Sequence, residues 1–337
     1  MKRSFLSKPF VLMLVLLLFV GGILMTGCGG RDDSDGDFAD YPTQSIGAIC
    51  PWTAGGGSDV AFRGFIQYMA EDLGVDINVT NITGGNGAIG WAELAESPAD
   101  GYTLGLVTFD VLTNQAMGTS PVTHEDFEII NQFTAQGTVL ITHADYGYGG
   151  LEDFLEAARK AQTEGRTMQI GVAGEGGVWH QAGALMANET GTQDAFIYVP
   201  FQGSADQLAD LLGKHLDAIV STTTASLDHI RAGTLQLLAT MSEQPLDDFP
   251  DVPTFLSAGY DVIYESWRIV VVPAGTPAPI VARLREAGVN AYNNPKFQEW
   301  ATATDIGQMF RDHQESRTFI QNQYPVVENI MRELGLI

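Results

Sequence analysis

At 337 residues the chain exceeds one average domain and has room for two compact units with a ligand crevice between them. A hydrophobic fraction of 45% with 38 glycines fits neither a disordered chain nor a multi-span membrane protein. The formal charge of -24, from 17 Lys+Arg against 41 Asp+Glu, excludes a nucleic-acid partner, which needs a basic footprint, and favours solubility.

The first segment reads as an address. Lys2, Arg3 and Lys8 precede an apolar run from Phe10 to Met25, the order of charged and apolar regions in a secretory leader. Met25-Thr26-Gly27-Cys28 then resembles a bacterial lipobox, implying removal of residues 1–27 and diacylation of Cys28. The competing reading is an uncleaved membrane anchor, for which the run is slightly short. Under both, the folded part is expected outside the cytoplasm, and under the first the membrane is met through lipid at Cys28 alone. Loss of the leader removes three positive charges, giving -24 - 3 = -27, so the overall field repels anions and any acid must be held by local dipoles. Residues 28–40, Gly- and Asp-rich, suit a tether. Cys50, left without a disulfide partner, lies in an apolar strand and reads as a core thiol.

From Tyr41 onward short apolar strands alternate with amphipathic helices, which predicts an α/β fold with mostly parallel sheets. Strand Ile46 to Cys50 leads through a glycine loop into a helix opening at Ser58 or Asp59, both good N-caps, with Phe62, Phe65, Ile66, Met69 and Leu73 as its buried stripe and Gly74 as its stop. Strand Val75 to Ile82, a second glycine loop, a short helix ending before Pro98 and strand Tyr102 to Thr108 follow. Strands are expected at Phe127 to Phe133 and Thr138 to His143, then a helix at Leu151 to Ala161. A second series has strands Met168 to Val172, Ala195 to Val199, Leu216 to Ser221 and Leu235 to Thr240, with helices starting near Val178, Ser204 and Thr224. Strand Trp267 to Val272, followed only by helices at about Pro279 to Tyr292, Pro295 to Thr302 and Glu315 to Leu334, cannot build a sheet alone and should return to the first one. The expected division is 41–137 with 264–337 as domain 1 and 138–263 as domain 2, joined by a hinge.

The loop Pro51-Trp52-Thr53-Ala54-Gly55-Gly56-Gly57-Ser58-Asp59 joins a strand end to a helix N-terminus with unpaired N–H groups, an anion site by construction. Glycine spacing alone would equally suit a tight strand-to-helix turn. No lysine follows the glycines, which argues against a nucleotide. Thr83-Gly84-Gly85-Asn86-Gly87-Ala88-Ile89-Gly90 repeats the arrangement at the next junction, and two such loops at strand carboxyl ends would border one crevice.

PWTAGGGSD at Pro51 to Asp59, GGNGAIG at Gly84 to Gly90, PADGYTL at Pro98 to Leu104, VPFQGSADQLADLLGKHLD at Val199 to Asp217 and PAGTPAPIVARL at Pro273 to Leu284 together resemble the substrate-binding proteins of tripartite tricarboxylate transporters, the TctC or Bug family, over essentially the whole mature length. The resemblance implies a two-domain, type II Venus-flytrap periplasmic-binding-protein fold that closes on a small organic acid and delivers it to membrane subunits, as a monomer, with no cofactor. It further implies that backbone N–H groups of both first-domain loops grip a carboxylate, which makes Trp52, Thr53, Ala54, Gly56, Gly57, Ser58, Asp59, Gly84, Gly85, Asn86, Gly87 and Ala88 candidates. The second domain contributes through the loop at Gly171 to His180 (Ala173, Glu175, Gly176 and His180), with Phe201 and Ser221 beside it. There the chain departs from the family pattern: Val172, Ala173 and Gly177 stand where hydroxyl residues are common, and Glu175 adds a negative charge. A ligand with one carboxylate and a polar or cationic far end is the expectation.

Arg268 is either a bidentate carboxylate partner at the crevice or a hinge-surface residue paired with Glu265. His180, at a helix start, reads more readily as a structural cap or turn contact than as a ligand group, and Trp52 and Trp179 read equally as pocket walls or core. The six histidines lack metal spacing, so no metal site is expected. An α/β enzyme would need a nucleophile, base and orienter; the chain has no G-x-S-x-G elbow and no Cys-His pairing, and Ser58 reads as an N-cap. A receptor for a sensor kinase is not separable from a transport receptor in the sequence.

Overall fold

The computed structural model describes residues 38 and 40–337, so the leader, Cys28 and nearly all of the tether lie outside the described residues. Tyr41–Ile337 is one compact unit built around two sheets.

The first sheet forms around β1 (Ile46–Cys50), which pairs in parallel with β2 (Ile77–Asn81) and β3 (Thr103–Thr108). Each is followed by a helix: α1 (Gly57–Leu73), α2 (Ala88–Glu96) and α3 (Asp110–Met117). The expected α1 stripe is buried throughout, with Phe65 stacked on Phe133 at 4.5 Å, and Gly74 ends the helix in the left-handed conformation. Cys50 is buried in β1, and burial pushes its thiol up to about 12.

β4 (Phe127–Gly137) runs on almost directly into β5 (Val139–His143), which belongs to the other sheet. That second sheet takes β6 (Met168–Ala173), β7 (Phe196–Phe201), β8 (Ala218–Ser221) and β9 (Leu235–Thr240), in the order β7-β6-β8-β5-β9. Helices α4 (Leu151–Thr163), α5 (Val178–Thr190), α6 (Ser204–Leu212) and α7 (Leu227–Arg231) connect them. The chain then returns through β10 (Glu265–Pro273), which inserts between β3 and β4, as expected for a strand with no sheet of its own. Helices α8 (Ala278–Tyr292), α9 (Pro295–Ala303) and α10 (His313–Glu333) follow, with β11 (Gln308–Arg311) on the outer edge of β4.

Both sheets are mixed, where the alternation of strands and helices predicts mostly parallel ones. The cause is the double crossing: β10 arrives from the second sheet and runs antiparallel to both neighbours, and β5, fed from the first sheet, runs antiparallel to β8 and β9. Where the crossings meet, Thr138 N–H donates to the Tyr264 carbonyl (2.9 Å), Tyr264 N–H to that of Met241 (2.8 Å) and Met241 N–H to that of Thr138 (2.7 Å). No helix among the described residues is long and apolar enough to cross a membrane.

Candidate functional site

The carboxyl ends of β1, β2 and β3 and the start of β10 converge on a cleft faced by the second sheet's α5 and α6. The first glycine loop enters it in a fixed shape. Gly55, in the left-handed region at φ 76, donates to Asp59 Oδ2 (2.9 Å), while Asp59 Oδ1 accepts from Arg63 Nε (2.9 Å) and Asn81 Nδ2 (2.7 Å). Asp59 is therefore committed to bracing the loop. The helix begins earlier than Ser58 or Asp59: Gly56 is the N-cap, and no side chain from its own loop caps it. Gly57 N–H donates instead to Ser204 Oγ at 2.7 Å, at the start of α6 in the other lobe.

Ser58 is thereby released from capping and turns to Arg268. Arg268 sits on β10 opposite Thr108, is 0% exposed, and gives Nε to Ser58 Oγ at 3.0 Å. Its Nη1 and Nη2 have no hydrogen-bond partner among the described residues. Burial lowers its pKa below the usual guanidinium value to about 10, with Cys50 and Asp110 pulling the other way. The hinge-surface pairing with Glu265 is corrected: the strand faces Arg268 inward, beside three cleft residues, Ser58, Thr108 and Ser266, while Glu265 is exposed.

Asp110, in the first turn of α3, is 2% exposed and spans the cleft. Its Oδ1 accepts from Val178 N–H at the start of α5 (2.8 Å) and its Oδ2 from Thr108 Oγ1 (3.0 Å). Burial pushes its carboxyl up to about 6. Trp52, Ser58, Asp110, Trp179, Ser204 and Ser266 are among the residues enclosing an inner cavity of about 10 Å³, room for roughly one water. An outer chamber of about 330 Å³ shares Trp52 and is lined also by Gly85, Asn86, Asn114, Met117, Glu175 and Phe201. The lobes are closed on one another.

The second glycine loop is held by Asn114 on α3, whose Nδ2 donates to the carbonyls of Gly85 (3.3 Å) and Asn86 (3.0 Å). Gly84, Asn86 and Gly87 all take positive φ, and the Asn86 side chain reaches across to Gly174, where any Cβ would collide with it. Its buried Oδ1 has no hydrogen-bond partner among the described residues. Ala173 lines the inner cavity, and Gly176 N–H donates to His180 Nδ1 at 2.9 Å. His180, packed on Tyr198 at 4.6 Å, braces that loop, and burial lowers its pKa. Thr53 keeps a buried Oγ1 with no hydrogen-bond partner among the described residues. Ala54 is exposed at the loop tip, and Gly84, Gly87 and Ala88 support the turn into α2 without lining either cavity. Ser221 is buried in β8, and its neighbour Thr222 is the one that approaches Gly57.

Asp110, Asn114 and Ser204 are site residues that the sequence reading did not single out. The signal was positional: Asp110 follows the third strand's carboxyl end as the glycine loops follow the first two, but α3 is short and polar and gives little helical periodicity.

Residues 61–336 match the family described as the tripartite tricarboxylate transporter family receptor, TctC. The chain is similar to protein BugT of Bordetella pertussis, 28% identical over 326 residues that make up 95% of this chain and 97% of that protein. Among solved structures it resembles a periplasmic transporter at 30% identity and TM-score 0.81, covering 87% of this chain and 97% of the other. It also resembles a TctC solute-binding protein from Polaromonas at 30% identity and TM-score 0.62, covering 87% and 99%.

Proposed function

We propose that this chain, which belongs to the tripartite tricarboxylate transporter receptor family, is an extracytoplasmic receptor that binds a small organic acid and presents it to the membrane subunits of a transporter. The observation that carries the reading is Arg268: a buried guanidinium with two unpartnered nitrogens beside the α1 N-terminus. A buried cation with no counter-charge hydrogen-bonded to it is costly, and a ligand carboxylate supplies the two acceptor oxygens that match its fork. Helix α1 adds its N-terminal dipole, so the acid is held locally against the repulsive field of an acidic surface.

In this reading the lobes 41–137 with 264–337 and 138–263 part about the crossing at Thr138 and Tyr264, because the inner cavity is too small for an organic acid until they do. The acid's carboxylate displaces Ser204 from Gly57 N–H and takes the free face of Arg268. The leader and Cys28 motif support lipid anchoring; Cys28→Ser should release the protein from membranes, and retention of the variant there would refute the anchor.

A thermal-shift screen against mono-, di- and tricarboxylates, amino acids and aromatic acids tests the receptor reading, since a ligand that binds only the native state raises its stability by mass action. At least one acid should give a saturable rise with the acid recovered unchanged. Turnover of the acid, or a flat response across the panel, would overturn it.

A further inference from the structure

We infer that Asp110 is a specificity residue, restricting the receptor to acids with a single carboxylate that also carry a hydrogen-bond-donating group, an ammonium or a hydroxyl, to meet it. The inference rests on the receptor reading above and concerns the part of the ligand that Arg268 does not hold.

In the second lobe the loop into α5 has little left to offer another carboxylate, and Trp179 Nε1, a neutral donor on the inner cavity, is what remains without a partner among the described residues. Val178 N–H, at the start of α5, already donates to Asp110 Oδ1 at 2.8 Å. Gly177 N–H donates to the Gly174 carbonyl at 3.3 Å and Gly176 N–H to His180 Nδ1 at 2.9 Å. Gln181 Nε2 is taken by Thr113 Oγ1 at 2.9 Å and the Gly176 carbonyl at 2.8 Å. Val172, Ala173 and Gly177 supply no side-chain donor. The α5 terminus, which could receive a distal anion, is filled from inside the protein by the first lobe's own carboxylate.

Asp110 also changes what can lie next to it. It lines the same inner cavity as Ser58, and each of its oxygens, having accepted one bond, keeps acceptor capacity. An incoming acid brings one negative charge, which the single buried guanidinium of Arg268 neutralises. A second carboxylate would then face Asp110 in a water-poor site whose lining residues include no cation, with Arg268 behind Ser58 already taken, and like charges at close range disfavour each other strongly there. A donor group on the ligand reverses the sign, because it meets an ionised or partly ionised acceptor with a charge-assisted hydrogen bond. Glu175, exposed at the outer chamber, adds negative charge along the approach and works in the same direction.

The test is calorimetric titration of the full chain with two matched sets of probes: alanine, lactate and propionate, and 4-aminobutyrate, 4-hydroxybutyrate, butyrate and succinate. An amino or hydroxy acid should bind at least tenfold more tightly than its unsubstituted partner and than succinate, the ammonium and hydroxyl arms telling the two donors apart. Asp110→Asn should lose that preference and bind succinate at least tenfold better than the native chain does. Asp110→Ser, also neutral, carries the same comparison should the asparagine variant not fold, and the native ranking needs no variant. Equal or tighter binding of succinate or of the plain acids to the native chain overturns the inference, as does an unchanged ranking in the neutral variants. If none of these probes binds while the wider screen yields a ligand, the specificity inference falls and the receptor reading stands; if the wider screen is also blank, the receptor reading falls first.

Discussion

If the proposed site is right, Arg268 and Asp110 are buried charges kept for the ligand, and their substitution should separate binding from stability. Arg268→Met should weaken binding of the best acid by about 100-fold, the scale of losing one partner of a buried charge pair. It should also raise the ligand-free stability by on the order of 1 kcal/mol, because an unpaired buried cation is replaced by an apolar side chain of similar length. Equilibrium denaturation beside titration measures both, and a fall in stability together with intact affinity would assign Arg268 a structural role. Asp110 gives a pH signature. Its folded carboxyl stands above its unfolded value, so the fold favours the protonated acid, and the stability this contributes is full below pH 3.8 and lost as pH rises to about 6. Asp110→Asn should therefore gain about 3 kcal/mol on the native chain between those limits, read from denaturation across pH, and a constant difference would contradict the assignment. Residue type alone slightly favours Arg268 on the hinge surface over the crevice. What decides it is the inward face of β10 shared with Ser266, and the sequence marks no face on a strand that is buried on both sides.

Among the elements, α1 shows how local rules and packing diverge. Gly64 lies in its interior, where alanine would raise helix propensity by about 1 kcal/mol. A Cβ there would run into the Trp300 indole of α9, so Gly64→Ala should instead destabilise by about 1–3 kcal/mol in chemical denaturation. A gain would mean that Trp300 is free to move aside. The stripe from Phe62 to Leu73 and the stop at Gly74 were legible because periodicity and a left-handed glycine are local signals. The cap was not: Gly56 occupies that position and Gly57 N–H finds its acceptor in Ser204, 147 residues away, which no reading of neighbours supplies. Helix α3 and strand β11 escaped for a related reason. Asp110–Met117 is held by contacts to the second lobe, through Asp110 and Thr113, and β11 by the edge of β4 rather than by its own pattern.

For the whole molecule, the alternation of strands and helices identified the α/β class, and a lone strand before terminal helices foretold the return of β10. The direction of pairing was not legible, because it follows from which sheet each strand is fed by. Closure is likewise a property of the assembled lobes. Gly57 to Ser204, Val178 to Asp110 and Gln136 Nε2 to Thr223 Oγ1 (2.8 Å) all bridge the two sheets' layers. Ser204→Ala, which removes the acceptor on the α1 terminus, should shift the ligand-free protein toward an open form, seen as a larger radius of gyration in solution scattering that contracts when acid is added. An unchanged radius would show that the Ser204 bond does not hold the lobes together. Whether the α1 terminus and Arg268 hold the acid is decided by a crystal structure with the strongest acid from the screen. Carboxylate oxygens should lie within hydrogen-bond reach of Gly57 N–H and of the Arg268 guanidinium, with Ser204 displaced. A carboxylate bound only by the second lobe, with Arg268 still unpartnered, would contradict it.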